Sequence, residues 1–199
     1  MKKIGLLCLA LVLALGTLGI GFAMWSDTVV ISGTVNTGSV DLDVQDMSGT
    51  DVYKLEDGSL YRVHWYDGVR PEPPAGSILV AHAIAEKTAD DEVTVTFDNL
   101  FPCIDFVADF EYHCAGTVPV HVKYTQVIEG IPESWVTVTR GGWPAGIEAS
   151  FPIEDGYQLH YCDMDAIYIL IHVPQEDAAM NVSGTIAITL EAIQFNEYP

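Results

Sequence analysis

Positive charge is what this chain has least of. Eight lysines and arginines stand against 28 aspartates and glutamates in 199 residues, a formal charge of −20 at pH 7. Nucleic-acid binding needs clustered Lys and Arg along the phosphates, and the few present are scattered, so that class is excluded. The same balance opposes adhesion to an anionic membrane surface. A zinc-protease sequence of the His-Glu-x-x-His kind is missing: the six histidines, His64, His82, His113, His121, His160 and His172, are dispersed. Beyond the first two dozen residues there is no helix-length run with a 3.6-residue apolar period, although Ala81 to Lys87 or Gln175 to Met180 has the composition for a turn or two. Apolar material is not lacking. At 49% hydrophobic residues the chain escapes the composition of disorder and fills one core, and its length allows one domain or two.

The acidity starts only at Asp27. Lys2 and Lys3 precede an uncharged apolar run from Ile4 to Ala23 that closes on Gly21-Phe22-Ala23. A positive start, an apolar stretch and a small-x-small end are the parts of a secretory signal peptide, expected here as residues 1–23 and cut by a signal peptidase between Ala23 and Met24. A retained anchor is the alternative, since twenty apolar residues could span a bilayer. The glycines toward the end of the run favour cleavage, which leaves no membrane-inserted segment. Cutting there leaves six basic residues against 28 acidic ones, a charge of −22 on an exported protein.

Export changes the meaning of the four cysteines. Cys8 leaves with the signal, and Cys103, Cys114 and Cys162 remain, an odd number that permits at most one internal disulfide. If Ile104 to His113 is a strand, Cys103 and Cys114 lie on the order of 35 Å apart, far beyond the ~7 Å Cα limit for a bridge. Cys162 is therefore the partner if any pair forms.

The dominant period is two. From Asp105 to Tyr112, residues Phe106, Ala108, Phe110 and Tyr112 share one face, while Asp105, Asp109 and Glu111 share the other. The alternation recurs at Val118–Tyr124, Ile167–Val173 and Thr185–Glu191. Further strands are expected at Thr28–Val35, Ser39–Val44, Ile78–Ala85, Val93–Phe97 and Trp135–Thr139, divided by Gly- and Pro-containing turns. Many short strands without alternating helices predict an all-β fold, a single antiparallel β-sandwich of jelly-roll or Ig-like kind. The expected organisation is a signal over 1–23, an N-terminal strand segment over 24–38 and a sandwich over 39–199. Residues 53–91, with Trp65 and the proline cluster Pro71, Pro73 and Pro74, read as a long insertion or edge excursion, because such a cluster cannot sit inside a sheet.

Asp41, Asp43 and Asp46, extended by Asp51, Glu56 and Asp57, invite a calcium reading. They lack the glycine and closing glutamate of an EF-hand loop, so a solvated acidic face with at most weak divalent binding is expected, and no other cofactor. Asn181-Val182-Ser183 fits the N-glycosylation pattern.

Three runs resemble, in order, landmarks of the TasA/camelysin family: FAMWSDTVVISGTVNTGSVDLDV, FDNLFPCIDFVADFEYHCAGTVPVHVKY and GTIAITLEAIQFNE. The matching residues are Trp25 and Asp27; Gly38, Asp41 and Leu42; Asn99, Leu100 and Pro102; Phe106, Phe110 and Gly116; and Ala192, Gln194 and Phe195. The chain departs from the pattern at Cys103 and Ile104 in the Pro-Gly-Asp turn, at Cys114 where Asn is expected, and over 53–91, which has no counterpart. The resemblance implies a secreted jelly-roll protein of the extracellular matrix or cell surface. It also implies head-to-tail self-assembly into fibres, in which the segment after the cleavage site adds as a strand to the next subunit. Trp25, Val29, Ile31 and Val35 would be the donor residues, and the alternation of Val29, Ile31, Gly33 and Val35 with Val30, Ser32 and Thr34 suits a two-sided strand. The other course for that strand is to fold back on its own sheet.

Camelysin also names a metallopeptidase grouping, but without a zinc-protease motif no catalytic residue is assigned and no enzyme is expected. In an Ig-like sandwich the end of the strand from Asp105 would pair with the start of the strand from Asp165, bringing Cys114 near Cys162 with His113 and His160 close by. A Cys114–Cys162 disulfide is the first expectation there, with reduced, unlinked cysteines the main alternative and a Cys/His metal site a lesser one, and pairing of Cys103 with Cys162 stays open. The competing class for the whole protein is a monomeric cell-surface binding module.

Overall fold

The computed structural model describes residues 5, 8–15, 38–141, 151–152, 157–175 and 181–194. The chain forms two compact units, Met1–Thr37 and Gly38–Pro199. In the first, residues 8–15 are helical, with Leu9, Leu11, Val12, Leu13 and Leu15 exposed. Among the described residues no helix is long and apolar enough to cross a membrane. The expected strand Thr28–Val35, the cleavage pair Ala23 and Met24, and the donor residues Trp25, Val29, Ile31 and Val35 lie outside the described residues.

The second unit is all β. Its strands are β1 (Leu42–Gln45), β2 (Gly49–Lys54), β3 (Leu60–Trp65), β4 (Ile78–Ala89), β5 (Glu92–Leu100), β6 (Asp105–Cys114), β7 (Val120–Glu129), β8 (Val136–Gly141), β9 (Phe151–Pro152), β10 (Tyr157–Leu159), β11 (Met164–His172) and β12 (Val182–Gln194). They build a five-stranded sheet in the order β1-β6-β11-β8-β9 and a seven-stranded sheet in the order β10-β7-β12-β5-β4-β2-β3. Every pairing is antiparallel.

Period two explains the layers. On β6, Phe106, Ala108, Phe110 and Tyr112 point inward and are buried, and on β11 so are Ile167, Ile169 and Ile171. The opposing sheet contributes Ala81, Ala83 and Ala85, then Val93, Val95 and Phe97, then Ile186, Ile188 and Leu190. Each large apolar side chain removed from water in this way contributes about 1.5–3 kcal/mol. The register Asp165↔Tyr112 and Met164↔His113 joins the end of β6 to the start of β11, as an Ig-like arrangement requires. Gly184 on β12 has a local reason: a Cβ there would sit 2.1 Å from the Glu129 carbonyl oxygen on β7.

Several details differ from the sequence reading. The strand expected over 39–44 is the shorter β1, and the strand expected over 78–85 is the longer β4, with no helical turn at 81–87 because Ala81, Ala83 and Ala85 alternate into the core. Residues 53–91 complete β2 and supply β3 and β4 of the larger sheet, so only the connection between β3 and β4, which carries the prolines, is an excursion. Asp51, expected on a solvated face, is fully buried.

Asp51 is buried because β2 is covered on both faces. Val52 faces the core, and the connection after β3 folds over the opposite face. Arg70 Nε donates to Asp51 Oδ2 and Nη2 to Oδ1, each at 2.6 Å, and the Tyr53 hydroxyl donates to Oδ2 at 3.3 Å. A two-pronged guanidinium contact is the strong form of an ion pair and fixes the loop's position. Beside it, Tyr53, Pro71, Glu72, Pro73, Ser77 and Leu79 line an open cleft. Arg70→Ala leaves the Asp51 carboxylate buried without its cation, and we expect a loss of about 2–4 kcal/mol, read as a lower urea midpoint at pH 7.

Candidate functional site

A sandwich has lateral edges whose backbone groups must be satisfied or will pair with something else. The two sides of this one are treated differently. On the side of β1 and β6 the edge of the smaller sheet is closed. β1 reaches only from Cys114 to Glu111 of β6, and side chains from β2, β3 and the bend before them cover the rest. Ser48 Oγ accepts from the Asp109 N–H at 2.7 Å, and the Ser48 N–H donates to the Asp109 carbonyl at 2.9 Å. Thr50 Oγ1 accepts from the Val107 N–H at 3.0 Å and donates to the Val107 carbonyl at 2.6 Å. Arg62 donates to the Asp105 carbonyl at 3.1 Å. The outer edge of β1 is closed by the Val44 N–H on the Asp90 carbonyl and by Lys87, whose ammonium lies 2.7 Å from Asp43 and 2.8 Å from Asp90.

This closed side contains a hydroxyl, an imidazole and a carboxylate in line. Thr50 Oγ1 lies 3.2 Å from His64 Nδ1, and His64 Nε2 lies 3.3 Å from Asp109 Oδ2. The geometry has the outline of a nucleophile, base and orienting acid. Its chemistry is that of a brace. The Thr50 proton is committed to the Val107 carbonyl, its oxygen holds the Val107 N–H, and the residue is 1% exposed, so no substrate atom can reach it. Thr50→Val removes both edge contacts at once and should cost about 1–3 kcal/mol, whereas Thr50→Ser should fold nearly as well as the parent; paired denaturation curves check this.

On the other side, among the described residues, the edges are open over part of their length. β10 pairs with β7 only over Val120–Val122, and β9 pairs with β8 only at Thr139 and Arg140. Among the described residues no strand adjoins the outer edge of β7 from 123 to 129 or of β8 from 136 to 138. The inward series on β7 accordingly changes from buried Val120 and Val122 to half-buried Tyr124, Gln126 and Ile128. Across from it, Val136 and Val138 face inward opposite Ile171 and Ile169 of β11 and are also half-buried, as are Ile131 and Trp135. The result is an apolar strip at the rim of the core between two unpaired edges. One end is closed by polar contacts: Arg140 lies over the Tyr157 ring at 4.5 Å and bonds Asp165 at 3.2 Å, and the Tyr112 and Tyr157 hydroxyls bond each other. Burial pushes both phenols far above their ordinary range, so they stay neutral.

Sequence-predicted residues fall as follows. Cys114 and Cys162 are neighbours, with the Cys162 N–H donating to the Cys114 carbonyl at 3.2 Å, and both are free thiols. Asn181 is exposed in a left-handed turn ahead of β12, open to a modifying enzyme. Asp41, Asp43 and Asp46 do not converge: Asp43 is taken by Lys87, which holds its carboxyl below the usual range, and among the described residues no three His, Cys, Asp or Glu side chains are placed to hold a metal ion. Asp109, expected on a solvated face, is 6% exposed beneath His64. Sequence reasoning also missed the β7–β8 opening. The signal available was weak, an apolar Val127 on the outward face of β7, 60% exposed.

Glu111 carries the electrostatic cost of this acidic corner. Partial burial, then Asp46, Asp67 and Asp109, push its carboxyl above the usual range. A folded-state pKa above the unfolded one means that the native state binds the proton more tightly. The stabilising contribution is therefore complete below the unfolded pKa and lost as pH rises through the folded one. Glu111→Gln should raise stability at pH 7 and lose that advantage near pH 3, which melting curves at the two pH values will show. No family model, no curated protein and no solved structure matches this chain.

Proposed function

We propose that this is a secreted structural protein of the extracellular matrix or cell surface that polymerises head to tail by strand addition. In this reading a signal peptidase removes residues 1–23, and the freed segment from Met24 to Val35 enters the opening between β7 and β8 of another copy. The observation that carries it is the apolar strip that, among the described residues, lies between two unpaired edges, while on the opposite side the edge of the smaller sheet is closed. The landmarks shared with the TasA/camelysin family support the same reading, as does the alternation of Val29, Ile31, Gly33 and Val35. A contact of this kind is heterologous and need not close into a ring, so it grows a filament.

Magnitudes set what the strand must do. Burying Val29, Ile31 and Val35 contributes about 1.5–3 kcal/mol each, and each main-chain hydrogen bond about 1 kcal/mol net. Association costs about 4–15 kcal/mol in lost freedom. Neither contribution clears that cost comfortably alone, so side chains and ladder must both engage. Mature protein beginning at Met24 is expected to form filaments visible by electron microscopy. Deleting 24–35 should abolish them while circular dichroism still shows a folded sandwich, and Ile128→Lys in the opening should reduce filament mass at least tenfold. Equal assembly by the deleted form would sink strand donation. A stable monomer at high concentration would favour a cell-surface binding module instead, and chelator-sensitive hydrolysis by pure protein would favour a peptidase.

A further inference from the structure

We propose that Cys114 and Cys162 are joined by a disulfide when the chain meets an oxidising compartment, and that Cys103 is left as the exposed free thiol. The proposal does not depend on fibre formation. β6 ends at Cys114, whose carbonyl accepts from the Cys162 N–H at 3.2 Å and whose N–H donates to the Asp163 carbonyl at 3.2 Å. Residues 162 and 163 thus face one residue of β6 in the manner of a bulge, just before the regular register resumes at Met164↔His113. Cys114 and Cys162 share one main-chain bond across the bulge, and neighbours so joined have Cα atoms roughly 5–6 Å apart, inside the disulfide range of about 4.4–6.8 Å. The Cys114 thiol, now donating to the Val118 carbonyl at 3.6 Å, turns to Cys162 when the bond forms.

Cys103 is placed at the opposite end of the same two strands. Its N–H donates to the carbonyl of Val173, just past the end of β11, whereas Cys162 stands just before the beginning of β11. A strand of this length separates them by about 30 Å, which removes the Cys103–Cys162 pairing that the sequence left open.

The two thiols differ in a way that orders the chemistry. Cys162 is exposed and Cys114 buried, and burial pushes the Cys114 thiol up from its ordinary range. With a small disulfide such as oxidised glutathione as oxidant, the Cys162 thiolate attacks one of its sulfurs. A Cys162–glutathione mixed disulfide forms, and one glutathione leaves as thiol. Cys114 then gives up its proton and attacks the Cys162 sulfur, expelling the second glutathione. Two protein thiols are oxidised, one glutathione disulfide is reduced to two thiols, and the protons end on those leaving groups. The closed loop, residues 115–161, contains β7, β8, β9 and β10, the strands that border the lateral opening. The bond would hold that module to the end of the smaller sheet.

The test equilibrates the purified full chain, in mild detergent, with reduced and oxidised glutathione, then alkylates it and maps peptides without reduction. The expected product is one cross-linked pair containing Cys114 and Cys162, about 2 Da lighter than its separate parts, with Cys103 fully alkylated. Alkylation of both Cys114 and Cys162 in oxidised buffer, or a bridge through Cys103, overturns the proposal. Because Cys114→Ser puts a hydroxyl into the core, the control is the exposed Cys162→Ser. Added reductant should lower the melting temperature of the parent by several degrees and leave Cys162→Ser unchanged. An equal response of the two proteins also overturns it.

Discussion

The corner at Ser48 decides how this sandwich closes. Its N–H and side-chain oxygen serve the Asp109 backbone on β6, while its carbonyl accepts from the Ala85 N–H on β4 at 3.0 Å, so one residue is bonded to both sheets. Thr50 repeats the arrangement one step on, with its hydroxyl on Val107 and its main chain paired to Ala83. Polar side chains act here as the missing strand beside β6. An edge satisfied in this way offers no ladder to another chain, and the exposed amides that drive edge-to-edge association are absent from this stretch.

The rest of the closed side follows from that crossing. Once 48–50 turns its inner face toward β6, the outward residue Asp51 is left on a strand with no water beside it, and a cation has to come from elsewhere. Arg70 supplies it from the connection after β3, and the prolines at 71, 73 and 74 keep that connection from continuing as strand. His64 reaches Asp109 by the same logic from the neighbouring strand. Removing a buried charge pair together is often neutral, while removing one partner is not. The pair at 51 and 70 is therefore a constraint on where the loop lies more than a source of stability.

Much of the fold is readable locally. Phe106, Ala108, Phe110 and Tyr112 alternate with polar residues, and burial of alternate side chains on a strand needs no information from further along the chain. The pairing of β6 with β11 is legible from the expected Ig-like topology, not from either strand alone. Asp51 and Asp109 are not legible. Each looks like an outward acid by position, and what buries it comes from Arg70 or His64, residues that no short window connects to it. The lateral opening is hidden for a different reason. Tyr124, Ile128, Val136 and Val138 have the same apolar pattern whether a neighbouring strand covers them or not, and pattern reports the face of a strand, not its edge.

Charge placement bears on the same asymmetry. The closed side gathers Asp43, Asp46, Asp67, Asp90, Asp105 and Asp109 around Lys87, Arg62 and His64, an excess of negative charge that two copies would bring together only at electrostatic cost. Tyr124, Gln126, Ile128, Trp135, Val136 and Val138 line the open side, and the carboxylate placed against them is that of the exposed Glu133, 3.5 Å from the Gln126 amide. A strand entering there passes the exposed Glu133 at the rim, whereas the same strand approaching β1 would have to displace Lys87 from Asp43. The segment from Thr28 to Val40 is itself uncharged. On the proposed reading, a mature molecule of net charge −22 repels its own copies over most of its surface and leaves one uncharged segment and one largely apolar rim able to meet. Specificity of assembly then rests on where charge is withheld, with the hydroxyls of Ser48 and Thr50 keeping the opposite edge out of the competition.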